Sequence, residues 1–440
     1  MAAMSRKAIV LGGSIAGLFS ARVLADHFDE VLVLERDRLS DESGVRKGVP
    51  QGRHVHSIWS PALQYLEGLL PGLHQGLLSA GAVEADAGRD FHWWHAGGFR
   101  VRPEVGISCL IQSRELFETH VRRRVRAVPR VDVRDETEVL GLVIEGGAVR
   151  GVRFRPKGHA GETLMRCDLV VDALGRHTPV PKWYAQAGLP APQETELGVD
   201  IAYVSRRFRR RPEDLERFRV MLISPIGPAE RRIAVLFPIE GDQWVATLAG
   251  WLGDHPPLDE AGWLAYAKSM PNRDWFNFVS QLQPLSSPSL YRFPSNLRRH
   301  WDRVESPPPG LLAVGDALCS FNPAYGQGMS VAAFETRALG ECLRNGMERL
   351  PERYGRMAAR VVDQAWALSA GEDLRHPEVK GQRPAGSALI NAYVERLHRA
   401  SHTREEVHRA MVEVFSLHRP LPTLLTPSMA LRALIWGGRT

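Results

Sequence analysis

An α/β fold, with a parallel sheet interrupted by an antiparallel one and a helical tail, is what this chain of 440 residues predicts. Three observations predict it. The apolar run Ala8-Ile9-Val10-Leu11 gives way to the turn Gly12-Gly13-Ser14-Ile15-Ala16-Gly17, a helix-like stretch and a second apolar run, Val31-Leu32-Val33-Leu34. Far along the chain a second short run, Leu311-Leu312-Ala313-Val314, ends in Gly315-Asp316 and is followed by Gly326-Gln327-Gly328-Met329. Between them, residues 186–290 break the βαβ rhythm with runs such as Arg232-Ile233-Ala234-Val235-Leu236-Phe237-Pro238-Ile239 and Gln243-Trp244-Val245-Ala246-Thr247-Leu248-Ala249-Gly250, which read as antiparallel strands.

The first segment has the order of a dinucleotide fold. Gly12 permits the tight turn, and Gly17 lets the helix pack close to the sheet. The helix N-terminus offers free N–H groups and a partial positive charge to a pyrophosphate. Glu35 ends the second strand, where it can accept hydrogen bonds from adenosine ribose hydroxyls, with Arg36 beside it. Ser14 stands where the middle glycine of G-x-G-x-x-G is expected, so the closest backbone approach is slightly crowded. Gly13 and Ala16 complete the candidate cradle. A similar glycine cluster, Gly146-Gly147, lies between two strand-like runs and reads as a hairpin turn only.

In the second segment, ligands of open α/β sheets collect at strand carboxyl ends, which is where Asp316 lies. An aspartate there can hold a polyol such as ribityl. Pro323, Gly326, Gln327, Gly328 and Met329 open a helix whose first N–H groups would face the pyrimidine edge of a flavin. The two segments together point to bound FAD. A third, Asp168-Leu169-Val170-Val171-Asp172-Ala173-Leu174-Gly175-Arg176, adds a strand and a turn. In Gln112-Ser113-Arg114, Ser113 is placed to cap a helix reaching Arg126, with Arg114 in its first turn as a candidate for the phosphates or ribityl; a solvated arginine fits nearly as well.

With these motifs in this order, residues 8–345 resemble the single-component, para-hydroxybenzoate-hydroxylase-type (group A) flavin monooxygenases. Arg46-Lys47-Gly48-Val49-Pro50-Gln51-Gly52-Arg53-His54-Val55-His56 and Phe321-Asn322-Pro323-Ala324-Tyr325-Gly326-Gln327-Gly328-Met329-Ser330 look most similar to bacterial polyether epoxidases of the lasalocid and monensin type, relatives of squalene epoxidase. The resemblance implies a Rossmann-like FAD-binding domain of the glutathione-reductase type, with an inserted antiparallel substrate sheet and a C-terminal helical segment. It maps FAD contacts onto Gly12, Ser14, Gly17, Glu35, Arg114, Asp316, Gly326, Gly328 and Met329, and puts the Arg53–His56 loop near the flavin ring. It further implies NAD(P)H as transient reductant, O2 addition at the flavin C4a, and oxygen delivery from the hydroperoxide to an alkene of an apolar polyketide or terpenoid-like substrate. An alkene needs no base, so His56 is the sole candidate for assisting flavin or peroxide. Aromatic hydroxylation is the alternative, and a flavin-binding regulatory protein the alternative outside enzymes. The Trp-x-Trp-x-Ile-Pro signature of tryptophan halogenases is absent, since His92-Trp93-Trp94-His95 does not match it.

The expected organisation is FAD-binding segments at 1–80, 111–185 and 291–375, substrate-domain segments at 81–110 and 186–290, and a helical region at 376–440. Trp94, Phe237 and Trp244, with Trp93 and Trp251, are candidate apolar lining, although such residues are more often core. The last stretch, 421–436, is apolar enough to cover the pocket or to touch a lipid surface, and covering is the expectation. Cys109, Cys167, Cys319 and Cys342 are too scattered for a zinc pair or CxxC motif, which fits buried thiols and a reducing cytoplasm. No metal site, membrane span or nucleic-acid module is expected. The net charge of +6 arises from 56 basic and 50 acidic residues, and the cluster Arg206-Arg207-Phe208-Arg209-Arg210-Arg211 could attract NADPH phosphates, a carboxylate substrate or an acidic carrier protein. Oligomeric state is unreadable.

Overall fold

The computed structural model describes residues 5–40, 44, 46 and 48–438; Lys47 of the sequence motif lies outside them. Its parallel sheet has five strands in the order Leu311–Ala313, Leu169–Asp172, Lys7–Leu11, Glu30–Leu34, Val131–Arg134. Alternation of side chains sorts the apolar runs onto two faces. Ala8, Val10, Val31 and Val33 meet the helices Ile15–Leu24 and Gly328–Arg344, whereas Ile9, Leu11, Leu32 and Leu34 meet Val149, Val152 and Phe154 of a three-stranded antiparallel sheet. With both faces covered, these strands are apolar throughout. The three-stranded sheet contains the expected hairpin, and Gly146 and Gly147 both take positive φ (59° and 74°), as a tight primed turn requires.

The inserted sheet has eight strands, in the order Cys319–Ser320, Ser289–Arg299, Glu194–Arg209, Gln243–Gly250, Arg232–Ile239, Val220–Ile223, Phe91–His95, Gly98–Phe99. It overruns the boundary expected at residue 290, because Ser289–Arg299 pairs along Glu194–Arg209 and carries the chain directly back to the flavin-type domain. One face packs on the helices Glu260–Lys268 and Asp274–Val279 through Phe208, Trp244, Leu248, Trp263 and Trp275. The other face looks into a cavity.

Beyond residue 349 the chain is helical, in Leu350–Asp373, Ser387–Ala400, Glu405–Phe415 and Pro427–Trp436. Met411, Val412, Phe415, Leu421, Leu424 and Leu425 line the cavity, so only the first part of the 421–436 stretch covers it; Leu431, Leu434, Ile435 and Trp436, in the helix that follows, are exposed and do not line it. Among the described residues no helix is long and apolar enough to cross a membrane. All four cysteines are free and buried. The arginine cluster differs from its expected role as an anion attractor: Arg206, Arg207, Arg210 and Arg211 face Glu260, Glu115, Asp242 and Asp214, so most of its charge is matched within the fold.

Candidate functional site

The carboxyl ends of the parallel strands open into a cavity of about 1740 Å³, bounded opposite by the eight-stranded sheet and the C-terminal helices. Single-ligand pockets typically occupy about 300–1,000 Å³, so the volume accommodates a dinucleotide and a substrate together.

At the strand end the geometry is set by glycine. Gly12 has φ of +100°, and a Cβ there would lie 2.5 Å from the Ala173 carbonyl oxygen. A Cβ on Gly17 would lie 1.9 Å from the Gly12 carbonyl oxygen. Ser14 is the N-cap of the helix Ile15–Leu24 but makes no capping hydrogen bond, which leaves the first helical N–H groups to a ligand. Its hydroxyl donates to Glu118 Oε2 (2.8 Å) and accepts from Arg114 Nη2 (2.9 Å). The expected crowding at the missing glycine is thus relieved by turning the side chain towards Arg114. Ser113 caps the helix Arg114–Arg126 by accepting from the Leu116 N–H at 3.1 Å, which fixes Arg114 on the cavity wall.

Glu35 is buried, and its carboxylate accepts from the N–H of Gly13 (2.8 Å) and of Asp37 (2.9 Å) with Arg46 at 3.3 Å. It clamps the glycine turn from the adjacent strand, and each oxygen keeps a lone pair for a further donor. Gly12, Ser14, Ala16, Glu35, Arg36, Arg114, Asp316, Pro323, Gly326, Gln327, Gly328, Met329 and His56 all line the cavity. Gly13 and Gly17 stand behind it, acting through the clamp and the close helix approach. Arg53 does not line the cavity: it ends a short turn, Pro50–Arg53, and points to solvent.

Asp316 presents its carboxylate to the cavity where Leu311–Ala313 ends. Burial raises its pKa, while Arg114, Arg176 and Arg299 pull it back. The Gly315 N–H is taken by the buried Glu335 at 2.6 Å, whose carboxyl is pushed up to about 8 by burial. Gly326 has φ of +65°, and neither it nor Gly328 has a neighbour within 4 Å of where a Cβ would point, so backbone lies open on the cavity side. The helix Gly328–Arg344 also starts without a side-chain cap. Two uncapped helix starts, a bare glycine cradle and a cavity-facing Asp316 between them fit FAD: Ser14–Gly17 would hold the pyrophosphate, Glu35 and Arg36 the adenosine, Asp316 the ribityl and Gly326–Met329 the flavin ring edge.

His56 lines the cavity beside Arg114. Its Nδ1 lies 3.0 Å from the His54 carbonyl oxygen, so that nitrogen carries the proton and donates. Burial, then Arg114, lowers its pKa to about 3. A neutral imidazole so fixed is a weak base and no proton donor of consequence at neutral pH. His54 is likewise lowered to about 4 by burial, and its Nδ1 joins Ser205 Oγ (2.7 Å), itself 2.6 Å from Thr247 Oγ1.

Alternation along the strands corrects the pocket expectation. Phe91, Trp93 and His95, Ile233, Val235 and Phe237, and Thr247 and Trp251 line the cavity, whereas Trp94 and Trp244 point to the opposite face and belong to the core under the helices. Trp244 is fully buried, which no chamber residue needs to be. Sequence reading missed Asp373. Buried in the helix Leu350–Asp373, its carboxylate accepts from Trp251 Nε1 (2.9 Å), Asn296 Nδ2 (2.7 Å), Asn322 Nδ2 (3.0 Å) and the Tyr325 hydroxyl (3.2 Å). It joins the loop before Gly326 to the substrate sheet. Burial holds its carboxyl up at about 6. Its one sequence signal was an acid on an otherwise apolar helix face.

No protein-family model matches the chain. It is 31% identical over 409 residues to Protein Rv3254 of Mycobacterium tuberculosis, covering 86% of this chain and 84% of that one. It is 27% identical over 364 residues to 6-methylpretetramide 4-monooxygenase of Streptomyces rimosus, covering 78% and 77%. Among solved structures it is similar to p-nitrophenol 4-monooxygenase PnpA of Pseudomonas putida (TM-score 0.63, 16% identity, 94% of this chain and 98% of that one). A 2-methyl-3-hydroxypyridine-5-carboxylic acid oxygenase gives TM-score 0.63 at 18% identity, covering 88% and 96%. These structures share the fold, and with Protein Rv3254 the likeness extends to sequence over most of both chains. The chain belongs to one family with Protein Rv3254, and it has the fold of flavin-dependent monooxygenases of known structure.

Proposed function

We propose that this enzyme uses NAD(P)H and O2 to epoxidise a carbon–carbon double bond in a bulky, apolar natural-product substrate. The reading rests on one observation: the cavity runs without a partition from the glycine turn at Gly12 to an apolar chamber walled by Trp93, Leu222, Phe237, Trp251, Val412 and Phe415. FAD, when bound, supplies electron transfer from NAD(P)H and activation of O2. The chain's own work is to bind, orient and exclude water. Leu421, Leu424 and Leu425 cover the chamber, and the aromatic sheet face holds the alkene against the flavin edge. Asp373 fixes Asn322 and Tyr325, and through them the loop that would carry that edge.

The choice of alkene over phenol rests on proton chemistry. Phenol activation needs a base. His54 and His56, the imidazoles beside the flavin-type loop, have pKa values lowered to about 4 and about 3, so both are feeble bases. An alkene asks for none. Ring hydroxylation is kept as the second reading because of the 27% identity to a protein named as a 4-monooxygenase.

Purified protein is expected to be yellow, to retain FAD, and to oxidise NAD(P)H faster when substrate is added. With isotopically labelled dioxygen and paired polyene and phenol probes, the product should gain one labelled oxygen as an epoxide or a cyclic ether formed from it. Products consisting of ring phenols alone would overturn epoxidation, and colourless protein that refuses FAD would overturn the whole reading.

A further inference from the structure

Where the chamber is roofed by the helices Ser387–Ala400 and Glu405–Phe415, the apolar wall contains an unbalanced charge. Arg100 is only 3% exposed, yet among the described residues no carboxylate pairs with it. Its guanidinium sits 3.5 Å from the centroid of the Trp93 ring and donates from Nη2 to His398 Nδ1 at 2.7 Å. Its Nε and Nη1 are buried without a partner. Burial alone lowers its pKa to about 9, which still leaves it charged at neutral pH.

The groups packed around it supply no counter-charge. His95 lies with its ring centroid 4.0 Å from that of His398, and both are held neutral by burial and by Arg100. His402 donates from Nε2 to the His95 carbonyl oxygen at 2.9 Å and is neutral for the same reason. Arg375, nearby on the cavity wall, is already matched by Glu372 at 2.8 Å. His408 has Asp86 as its nearest acid, and Asp86 is engaged by the N–H groups of Gly88, Arg89, Val105 and Gly106. An isolated buried cation is costly, and buried charges are as a rule paired.

The hydrogen bond from Arg100 also fixes the His398 tautomer. A guanidinium has donors only, so His398 Nδ1 must be the acceptor and the ring proton must sit on Nε2. His398 and His95 line the cavity, with Trp93, Ser224 and Phe415 around them. The result is a polarised N–H donor, backed by a full positive charge, set among the aromatic side chains of the chamber wall.

We propose that His398, polarised by Arg100, with His95 beside it, forms a recognition site for an oxyanion of the substrate, a carboxylate or an ionised enol, at the part of the molecule away from the carbon that is oxygenated. His398 touches the oxyanion and Arg100 is a positioning residue acting through it. The inference rests on the chamber being the substrate site of the proposed oxygenase, and it narrows the substrate class from apolar to apolar with an acidic end.

The test compares neutral and ionised forms of one shape, by titrating the FAD-loaded enzyme and reading the flavin spectrum and tryptophan fluorescence. Three pairs serve: farnesoate and methyl farnesoate, salicylate and methyl salicylate, and dimedone and its enol methyl ether. In the natural enzyme the acid of at least one pair is expected to bind about tenfold or more tightly than its neutral partner, the scale of a hydrogen bond to a charged group. A preference confined to farnesoate or salicylate identifies a carboxylate, and one confined to dimedone identifies an enolate. Arg100→Met is expected to abolish the preference without loss of FAD, and Arg100→Lys to keep part of it. Should Arg100→Met fail to fold, His398→Leu carries the same comparison. Equal affinity within all three pairs, or a preference that survives in the folded variants, overturns the proposal. Colourless protein would instead sink the oxygenase reading, so the two failures are told apart by the flavin spectrum before any probe is added.

Discussion

The two halves of the cavity are built by different means. At the dinucleotide half, backbone does the work: Gly12 and Gly17 occupy positions where a Cβ would strike carbonyl oxygens at 2.5 and 1.9 Å, and two helix starts are left uncapped. At the substrate half, side chains from distant segments converge, with Trp93 and His95 from one strand, Arg100 just after it, Trp251 from another and His398 and Phe415 from the tail. Backbone sites need particular residue types at particular local spacing. Side-chain sites need only that alternate strand positions face inwards.

The sharpest way to break the comparison is Gly17→Val. The side chain has nowhere to go except into the Gly12 carbonyl, so the helix must move off the strand and take the phosphate site with it. Complete loss of bound FAD is expected, read as the flavin's visible absorbance after gel filtration. Retention of stoichiometric FAD would show that the glycine turn does not hold the cofactor.

That contrast also explains what was legible in the sequence. The apolar strand runs of the parallel sheet, the hairpin at Gly146-Gly147, the Ser113 cap and the glycine turn from Gly12 to Gly17 were readable because the signal for each lies within a few residues of sequence, even where the strands then pair with distant ones. Trp94 and Trp244 were misplaced because strand composition does not reveal which face is inward, and the register was set by pairing with strands far away. Arg53 was misplaced because a loop's composition does not give its direction. Asp373, Arg100 and His398 were invisible as a set, since their side-chain hydrogen-bond partners lie 48 to 298 residues away in sequence.

A second prediction tests the face assignment within one sheet. Trp244 is fully buried beneath the helices, and Trp244→Ala should cost about 3–5 kcal/mol of stability, measured by denaturant unfolding of the holoprotein. Phe237, on a neighbouring strand but facing the chamber, should cost less than half as much on replacement by alanine. It should instead weaken binding of an apolar ligand by about 1–2 kcal/mol. The opposite ranking would return Trp244 to the chamber wall.

Asp373 ties the two halves together, and its titration gives the pH dependence. Asp373→Ala leaves four donors without their acceptor, for a cost on the order of 3 kcal/mol. The carboxyl is held at about 6 in the folded protein against an ordinary 3.8. The folded state therefore binds the proton more tightly than the unfolded chain. The group's contribution is fully present below about pH 4 and is lost as pH rises through about 6, a change of up to about 3 kcal/mol. The stability gap between the natural enzyme and Asp373→Ala should thus narrow between pH 4 and pH 7, in chemical unfolding at fixed salt. A gap that widens over that interval would mean that the site stabilises the charged carboxylate.

The smallest expected effect separates two arginines that the sequence placed together at the cofactor. Both are exposed, but Arg36 lines the cavity next to Glu35 whereas Arg53 does not reach it. An exposed guanidinium interacts with an adenosine phosphate through water, which limits it to about 0.2–1 kcal/mol and makes it sensitive to salt. Arg36→Ala is accordingly expected to raise the FAD dissociation constant by roughly two- to fivefold in dilute buffer, with the difference shrinking as salt is added. Arg53→Ala should leave it unchanged at any salt. If Arg53→Ala were the variant with the weaker, salt-dependent affinity, the turn Pro50–Arg53 would have to fold towards the cavity once FAD is in place. The dinucleotide half would then share the side-chain construction of its neighbour, rather than resting on backbone alone.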